Sequence, residues 1–472
     1  MKSRALALTV LLCLVSLVAF AAPKYVFVFI GDGMATPQIA AAEAYLGSLS
    51  DSFVDELSFT TFPVQALTTT YSNNAYITDS AAAATALACG YKTDSGVIAM
   101  DPGKMVEYKT IAEMAKEAGM KVGILSSVNL DHATPACYYA HNASRKNYYE
   151  INIAMANSDF DYFAGGEVRL SKTPEGQPTA EDVMRERGWT IVDTREALMA
   201  LEPSDTTVYA YNHGFSFNAL DYTIDQETDD ITLAEFTRKG IELLDNPNGF
   251  FMMVEAGKID WACHANDAGA SIHDTLAFSN AVQEAIDFMA QNPDDTLIIV
   301  TGDHECGGLT MGFAGTGYSS AFDVLGGQTV SYEWFNQYVL APYKSETAAE
   351  ELRFADLEDE IAEYFGLTEL SDRERTLLED AFAQSMLSRE ERASDEATYL
   401  LYGGYEPLTV TITHLLNQRA GLAWTSYSHT GIPVPTFAKG VGQDLFGGYY
   451  DNTDVFWKLV QVMELNAYLA SY

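Results

Sequence analysis
Several short stretches of this 472-residue chain carry side chains able to hold a cation or attack an ester. Asp260-Trp261-Ala262-Cys263-His264 puts a carboxylate and an imidazole four residues apart. On a helix that spacing is one turn, so both can reach one metal ion, although a surface hydrogen-bonded pair has the same spacing. Glu255 lies just before this turn, close enough to serve a neighbouring ion. Asp303-His304 precedes Gly307-Gly308, and His429 stands in Ser428-His429-Thr430-Gly431. Neighbouring residues of a strand point to opposite faces, so Asp303 and His304 can share an ion only where the strand has ended, and the glycines permit that turn. Thr78-Asp79-Ser80 opens the alanine run Ala81–Ala84, with Gly90 available to end a helix. Two readings are open: Asp79 and Ser80 cap the helix, or Ser80 is a nucleophile whose alkoxide is stabilised by the helix N-terminus and a metal.

These side chains need a frame that brings them together. The runs Tyr25–Ile30, Val122–Leu125, Phe250–Val254 and Leu297–Val300 are short and nearly continuously apolar, as expected for strands buried on both faces. Beyond them come Gly31-Asp32-Gly33, Asp131-His132, Glu255 and Gly302-Asp303-His304. Helical patterns such as Thr110–Ala118 and Leu276–Gln291 alternate with the runs. The order predicts an α/β fold, with a doubly wound, mostly parallel central sheet flanked by helices, whose ligands gather beyond the carboxyl ends of the strands. From about residue 317 to 407 the rhythm breaks: residues 346–396 hold 17 acidic and five basic side chains, with Leu and Ala at helical spacing. This region reads as a solvated, acidic helical insertion placed away from the carboxyl edge of the sheet.

Hydrophobic residues make up 48% and charged residues 20% of the chain, which excludes wholesale disorder. With 27 Lys and Arg against 66 Asp and Glu, the net charge of −39 counts against a nucleic-acid backbone as partner. Lys2 and Arg4 precede the apolar run Ala5–Phe20, and Ala19-Phe20-Ala21 supplies small residues at the positions a signal peptidase reads. Residues 1–21 are therefore expected to be a signal peptide for export to the periplasm or medium, the alternative being an uncleaved anchor. Residues 22–472 are then a single catalytic domain carrying the insertion. Cys13 would leave with the signal, and Cys89, Cys137, Cys263 and Cys306 either form two disulfides, in one of three pairings, or stay as buried thiols.

Seven stretches occur in an order that resembles the alkaline phosphatases, and specifically the bacterial, exported branch with His and Trp near the metal site. They are Gly31-Asp32-Gly33-Met34, Thr78-Asp79-Ser80-Ala81-Ala82, Ala133-Thr134-Pro135-Ala136, Ala140-His141-Asn142-Ala143-Ser144-Arg145, Glu255 through Asp260 to His264, Thr301-Gly302-Asp303-His304, and His429-Thr430-Gly431. The resemblance implies two zinc ions and a magnesium. Asp260, His264 and His429 would hold one zinc, and Asp32, Asp303 and His304 the other. Asp32 would also reach the magnesium, shared with Thr134 and Glu255. Ser80 would attack phosphorus to give a phosphoserine, while Arg145, steadied by Asp79, clamps two non-bridging oxygens. The implied activity is hydrolysis of a broad range of phosphate monoesters to an alcohol and inorganic phosphate, by an enzyme whose relatives are often homodimers.

Two positions depart from the best-known bacterial pattern. His132 stands where that pattern has Asp, so the third ion is magnesium or, because nitrogen suits it better, a transition metal. Trp261 stands where it has Lys, which removes a cation beside the bound phosphate and predicts weaker product binding. His141, His213, His273 and His414 have no matching role and read as structural. Rival readings are a phosphodiesterase, phosphonoacetate-type hydrolase or sulfatase of the same metallohydrolase superfamily, and a non-catalytic metal or phosphate binder. Ser80 in an Asp-Ser-Ala setting, together with Arg145, favours monoesters. Three divalent cations and Arg145 would outweigh the five carboxylates nearby and leave the site locally positive in an acidic protein.

Overall fold
The near-continuous apolar runs form the middle of a ten-stranded sheet in the computed structural model, which describes residues 22–50 and 52–469. The expected signal segment 1–21, with Cys13, lies outside the described residues. The strands are β1 (Tyr25–Gly31), β2 (Val64–Thr69), β3 (Lys121–Asn129), β4 (Tyr162–Gly166), β5 (Thr190–Val192), β6 (Val208–Asn212), β7 (Phe250–Ala256), β8 (Thr296–Gly302), β9 (Val434–Gly440) and β10 (Gly448–Asp451). Their spatial order is β10-β2-β9-β8-β1-β7-β3-β4-β6-β5. Every neighbouring pair is parallel except those of β9, which runs antiparallel to both β2 and β8.

The alternation of side chains explains why the central strands look uniformly apolar. Phe27 and Phe29 of β1, Phe250 and Met252 of β7, and Ile298 and Val300 of β8 enter the core on one face. Val26 and Val28, Phe251 and Met253, and Leu297 and Ile299 enter a second core on the other. Each face is covered by helices, so neither set of alternate positions can be polar. Helices 36–49, 233–244 and 268–291 pack on the first face, and 80–89, 111–117 and 452–462 on the second.

The register levels the strand ends. Gly31 pairs with Ala256 on one side and with Gly302 on the other, so Asp32 and Asp303 each emerge one residue past a paired position, and Glu255 lies opposite Ile30. This is the edge at which the expected ligands should meet.

Two expectations need correction. The helix expected over Leu276–Gln291 begins at Ala268, capped by Asp267, whose side chain accepts from the Ala270 amide at 3.0 Å. Its first turns are small, buried residues, Ala268, Gly269, Ala270 and Ser271, which carry no apolar periodicity. The 317–407 region is helical, at Tyr332–Phe335, Ala341–Glu346, Glu358–Phe365, Asp372–Met386 and Glu396–Tyr402. It does not all stand away from the carboxyl edge. The Tyr332 amide donates to Asp267 at 2.9 Å, and Glu333 lies 3.6 Å from Lys258, at the start of the ligand-bearing helix Lys258–His264. Phe335, Phe365 and Leu378 join the same core as Phe27, because the apolar faces of these helices had to be buried somewhere.

One buried carboxyl on helix 268–291 makes stability depend on pH. Asp274 accepts from the Thr223 amide (3.3 Å) and hydroxyl (3.1 Å) and lines a cavity of about 110 Å³ with Asp221. Burial pushes its pKa up to about 7. Between the ordinary carboxyl value and about 7 the folded state therefore holds a proton that the unfolded chain sheds, and stability falls as pH rises through that window. The loss reaches up to about 4 kcal/mol. Asp274→Asn should flatten this dependence, since the amide cannot ionise and its oxygen still accepts from Thr223. Urea unfolding of both proteins at pH 5 and pH 8 checks it; the same pH dependence in both would refute the assignment.

Candidate metal centre
Three groups of metal-ligand atoms adjoin one another at the levelled strand ends: Asp260 with His264, Cys306 and His429; Asp32 with Asp303 and His304; and Asp32 with His132 and Glu255. Within each group the atoms lie within 4.8 Å of one another. Asp32, fully buried, belongs to two of them and faces one with each carboxylate oxygen.

In the first group, Gly257 turns the chain from β7 directly into the helix Lys258–His264, which places Asp260 and His264 on one face. The His264 and His429 Nε2 atoms are 3.1 Å apart, and the Asp260 oxygens lie 3.3 Å from the first and 3.5 Å from the second. Nδ1 of His264 donates to the Tyr427 carbonyl at 2.7 Å, and Nδ1 of His429 to the Thr78 carbonyl at 2.8 Å. Those bonds fix the protons on Nδ1 and turn both Nε2 lone pairs inward, the arrangement that outer-sphere partners give to metal-ligating histidines. With no cation between them, burial lowers the His264 pKa, but the Asp260 charge more than reverses this and holds it at about 9, so a bound cation would take the place of a proton on Nε2. Burial likewise works to raise Asp260, yet His264 and His429 bring it well below the usual carboxylate range.

In the second group, His304 Nε2 is 3.3 Å from Asp32 Oδ1 and 3.2 Å from Asp303 Oδ2. Asp303 is held by its other oxygen, which accepts from the amides of Gly33 (3.2 Å) and His304 (2.8 Å). Burial first, and then the charges of neighbouring carboxylates, push Asp32 and Asp303 well above their ordinary values, while burial and the neighbouring His429 hold His304 well below its own. The rings of His304 and His429 stack at 3.6 Å and so join the first two groups.

The third group has His132 Nδ1 at 4.0 Å from Asp32 Oδ2 and 3.8 Å from Glu255 Oε1, with the Thr134 hydroxyl donating to Asp32 Oδ2 at 3.4 Å. Ser126, paired with Glu255 across β3 and β7, hydrogen-bonds its other oxygen. Arg145 donates from Nη1 to Asp79 Oδ2 and from Nη2 to His132 Nε2, both at 3.0 Å.

Ser80 is the first residue of the helix Ser80–Cys89, all of whose ten residues are buried. The cap is Asp79, whose Oδ1 accepts from the Ala82 amide at 3.1 Å. The Ser80 hydroxyl instead points to His304 Nε2 at 3.4 Å. Gly90 ends the helix at φ +75°, where an added Cβ would strike Phe456 at 2.4 Å. Asp79 thus takes the capping role, and Ser80 is left facing the second group.

The donor set fits cations. Asp32 Oδ1, Glu255 Oε1, Asp260 Oδ1 and Asp303 Oδ2 are all buried without a hydrogen-bond partner among the described residues, and every one of them lines these three groups. Buried carboxylates are costly unless neutralised, so a cluster of this density calls for positive charge.

All thirteen residues expected at the site are gathered here, Trp261 through its edge contact with His132 at 6.2 Å. The other histidines stand apart. His141 bonds the Ala99 carbonyl and Glu113, His273 the Gly269 carbonyl and His414 the Asn266 side chain, while His213 lies 3.7 Å from Glu167. The four described cysteines are free, buried thiols. Two neighbours escaped the sequence reading. Cys306 adjoins the first group, with its thiol donating to the Asp260 carbonyl at 3.7 Å, and the Lys258 ammonium sits 4.9 Å over the Trp261 ring. Cys306 follows Asp303-His304 by two residues, which was the available signal; Lys258 offered none, because a lysine two residues before a ligand is ordinary.

A doubly wound sheet with three adjoining ligand groups and a serine facing them is the layout of a metal-dependent hydrolase. The chain matches the family model described as alkaline phosphatase over residues 23–165 and 171–465, and it belongs to that family. It is 30% identical to alkaline phosphatase 3 of Bacillus subtilis, over 94% of this chain and 89% of that one. With alkaline phosphatase 4 of the same organism it shares 31% identity over 91% and 87%. The crystal structure of a cold-active alkaline phosphatase from a psychrophilic Shewanella species superposes with a TM-score of 0.78 at 29% identity, covering 93% of this chain and 99% of that one. Family and fold support hydrolysis of phosphate monoesters. Among the described residues no helix is long and apolar enough to cross a membrane.

Proposed function
We propose that the chain hydrolyses a broad range of phosphate monoesters through a phosphoserine on Ser80. The observation that carries this reading is the placement of the Ser80 hydroxyl, free of the capping role and 3.4 Å from a nitrogen of the second ligand group. Asp260, His264 and His429 would hold one zinc and Asp32, Asp303 and His304 a second. Asp32, Glu255 and Thr134 would hold magnesium, or, with His132, a transition metal. Bound cations supply charge stabilisation for the attacking and leaving oxygens.

The chain's own residues account for the remaining steps. Ser80 Oγ bonds to phosphorus as the bond from phosphorus to the ester oxygen breaks, and the alcohol departs with a proton. Water then attacks the phosphoserine, releasing phosphate and restoring the hydroxyl. Arg145 offers its planar fork to two non-bridging oxygens, and Asp79, which also accepts from the Gly96 amide at 3.0 Å, keeps that fork in place. To do so Arg145 must let go of His132. The organic part of the ester is not gripped by these groups, which is why a broad range is expected. Residues 1–21 would direct export, to the periplasm or medium.

A monoester, a diester and a sulfate ester of one phenol separate the reaction classes. The monoester should exceed the other two in kcat/KM by roughly three orders of magnitude. A diester turned over as fast as the monoester would replace this reading with a phosphodiesterase.

A further inference from the structure
The loop between β6 and the helix Leu233–Leu244 holds an aromatic residue in an unusual state. Phe217 is 70% exposed and has φ of +53°, and Asn218 beside it has φ of +63°. Two successive non-glycine residues in the left-handed region are unfavourable, and such backbone persists only where its surroundings enforce it. Here they do. The Ser216 hydroxyl donates to Glu333 at 2.6 Å, the Asn218 amide group donates to Glu167 at 2.5 Å, and Asn129, at the end of β3, donates to the Phe217 carbonyl between them. Farther along, the Leu220 amide donates to the Ser127 carbonyl at 3.0 Å. Glu333 comes from the acidic insertion and lies 3.6 Å from the buried Lys258 ammonium, so the loop is tied to the helix that carries Asp260, Trp261 and His264.

The ring held out this way stands edge-on to Trp261, with centroids 6.2 Å apart and planes at 89°. Trp261 in turn meets His132 edge-on at 6.2 Å, and His132 holds Arg145. A line of rings thus runs outward from the guanidinium that would grip phosphate, ending in the exposed Phe217 ring, which among the described residues stacks edge-on with Trp261.

We propose that Phe217 is a specificity-determining residue: it provides a platform for the far end of the alcohol, favouring monoesters whose leaving group carries a large planar ring, such as a nucleoside. This deepens the monoesterase reading and rests on it. The insertion gains a role as the buttress of the platform, through Glu333.

Adenosine 5′-monophosphate and glycerol phosphate make the test clean, because both leaving groups are alkyl alcohols and differ chiefly in the ring. In Phe217→Ala the ratio of their kcat/KM values should fall about three- to ten-fold, the range of a lost aromatic contact, and Phe217→Trp should restore it. Phe217→Gly should show the same fall in ratio together with a higher melting temperature, since it also relieves the backbone; a ring that merely packed for stability would lower it. An unchanged ratio in Phe217→Ala, or equal losses on both esters, overturns the platform while leaving monoester hydrolysis intact. If the unaltered chain hydrolyses neither ester, the monoesterase reading itself fails and this inference with it.

Discussion

Ser80→Ala should lose turnover of any phosphate monoester by roughly four orders of magnitude or more, while remaining folded and still binding its metal ions. The two halves of that expectation come from different atoms. The helix N-terminus is capped by the Asp79 carboxylate, so deleting the Ser80 hydroxyl leaves the cap in place. What is lost is one oxygen, 3.4 Å from His304 and without a backbone hydrogen bond among the described residues, and the stability cost should stay within about 1 kcal/mol. Only chemistry that passes through this oxygen can then explain a large rate loss. Steady-state turnover, thermal melting and metal content of the purified variant measure the three quantities together. Acid quenching of the unaltered enzyme during turnover should trap phosphate on the protein, and the variant should trap none. A residual rate within ten-fold of the parent would remove Ser80 as nucleophile.

The second large effect is expected from metal removal. Prolonged chelation should abolish monoester hydrolysis, and zinc, with magnesium, should restore it. Stability should fall as well, because an ion that binds only the folded chain contributes about 4 kcal/mol at a thousand times its dissociation constant. The structural reason is the set of buried, unpartnered oxygens on Asp32, Glu255, Asp260 and Asp303, which repel one another when nothing positive lies between them. Melting curves with and without chelator, read beside the activity, check both effects. Full activity in a preparation shown by elemental analysis to be metal-free would overturn the assignment of all three groups.

How much of this could be read from the sequence follows from where the ligands sit. Asp32, Glu255 and Asp303 belong to the ends of strands whose two-faced burial is written into their composition, so their meeting place follows from the general geometry of a parallel sheet. Asp260 and His264 needed only helical spacing. Arg145 comes from a turn and His429 from a two-residue strand paired with Glu305-Cys306, and nothing local predicts their approach; the order of motifs shared with a known family supplied it. Phe217 and Lys258 were out of reach for a different reason. An exposed phenylalanine in a left-handed conformation and a lysine above an indole are defined by tertiary contacts alone. The insertion shows the same limit: its helices were visible in charge and periodicity, but the hold of Glu333 on the ligand-bearing helix depends on one side chain among many acids.

The position of β9 gives the centre a history in time. This strand lies inside the sheet, between β2 and β8, although it is one of the last to be synthesised, and His429 lies just before it. Asp32, Asp303 and His304 are all present once residue 304 has been made, whereas the group built on Asp260 and His264 lacks its His429 until most of the chain exists. During synthesis the two ligand groups are therefore completed in turn, and a chain interrupted before residue 429 lacks one ligand of the group built on Asp260 and His264.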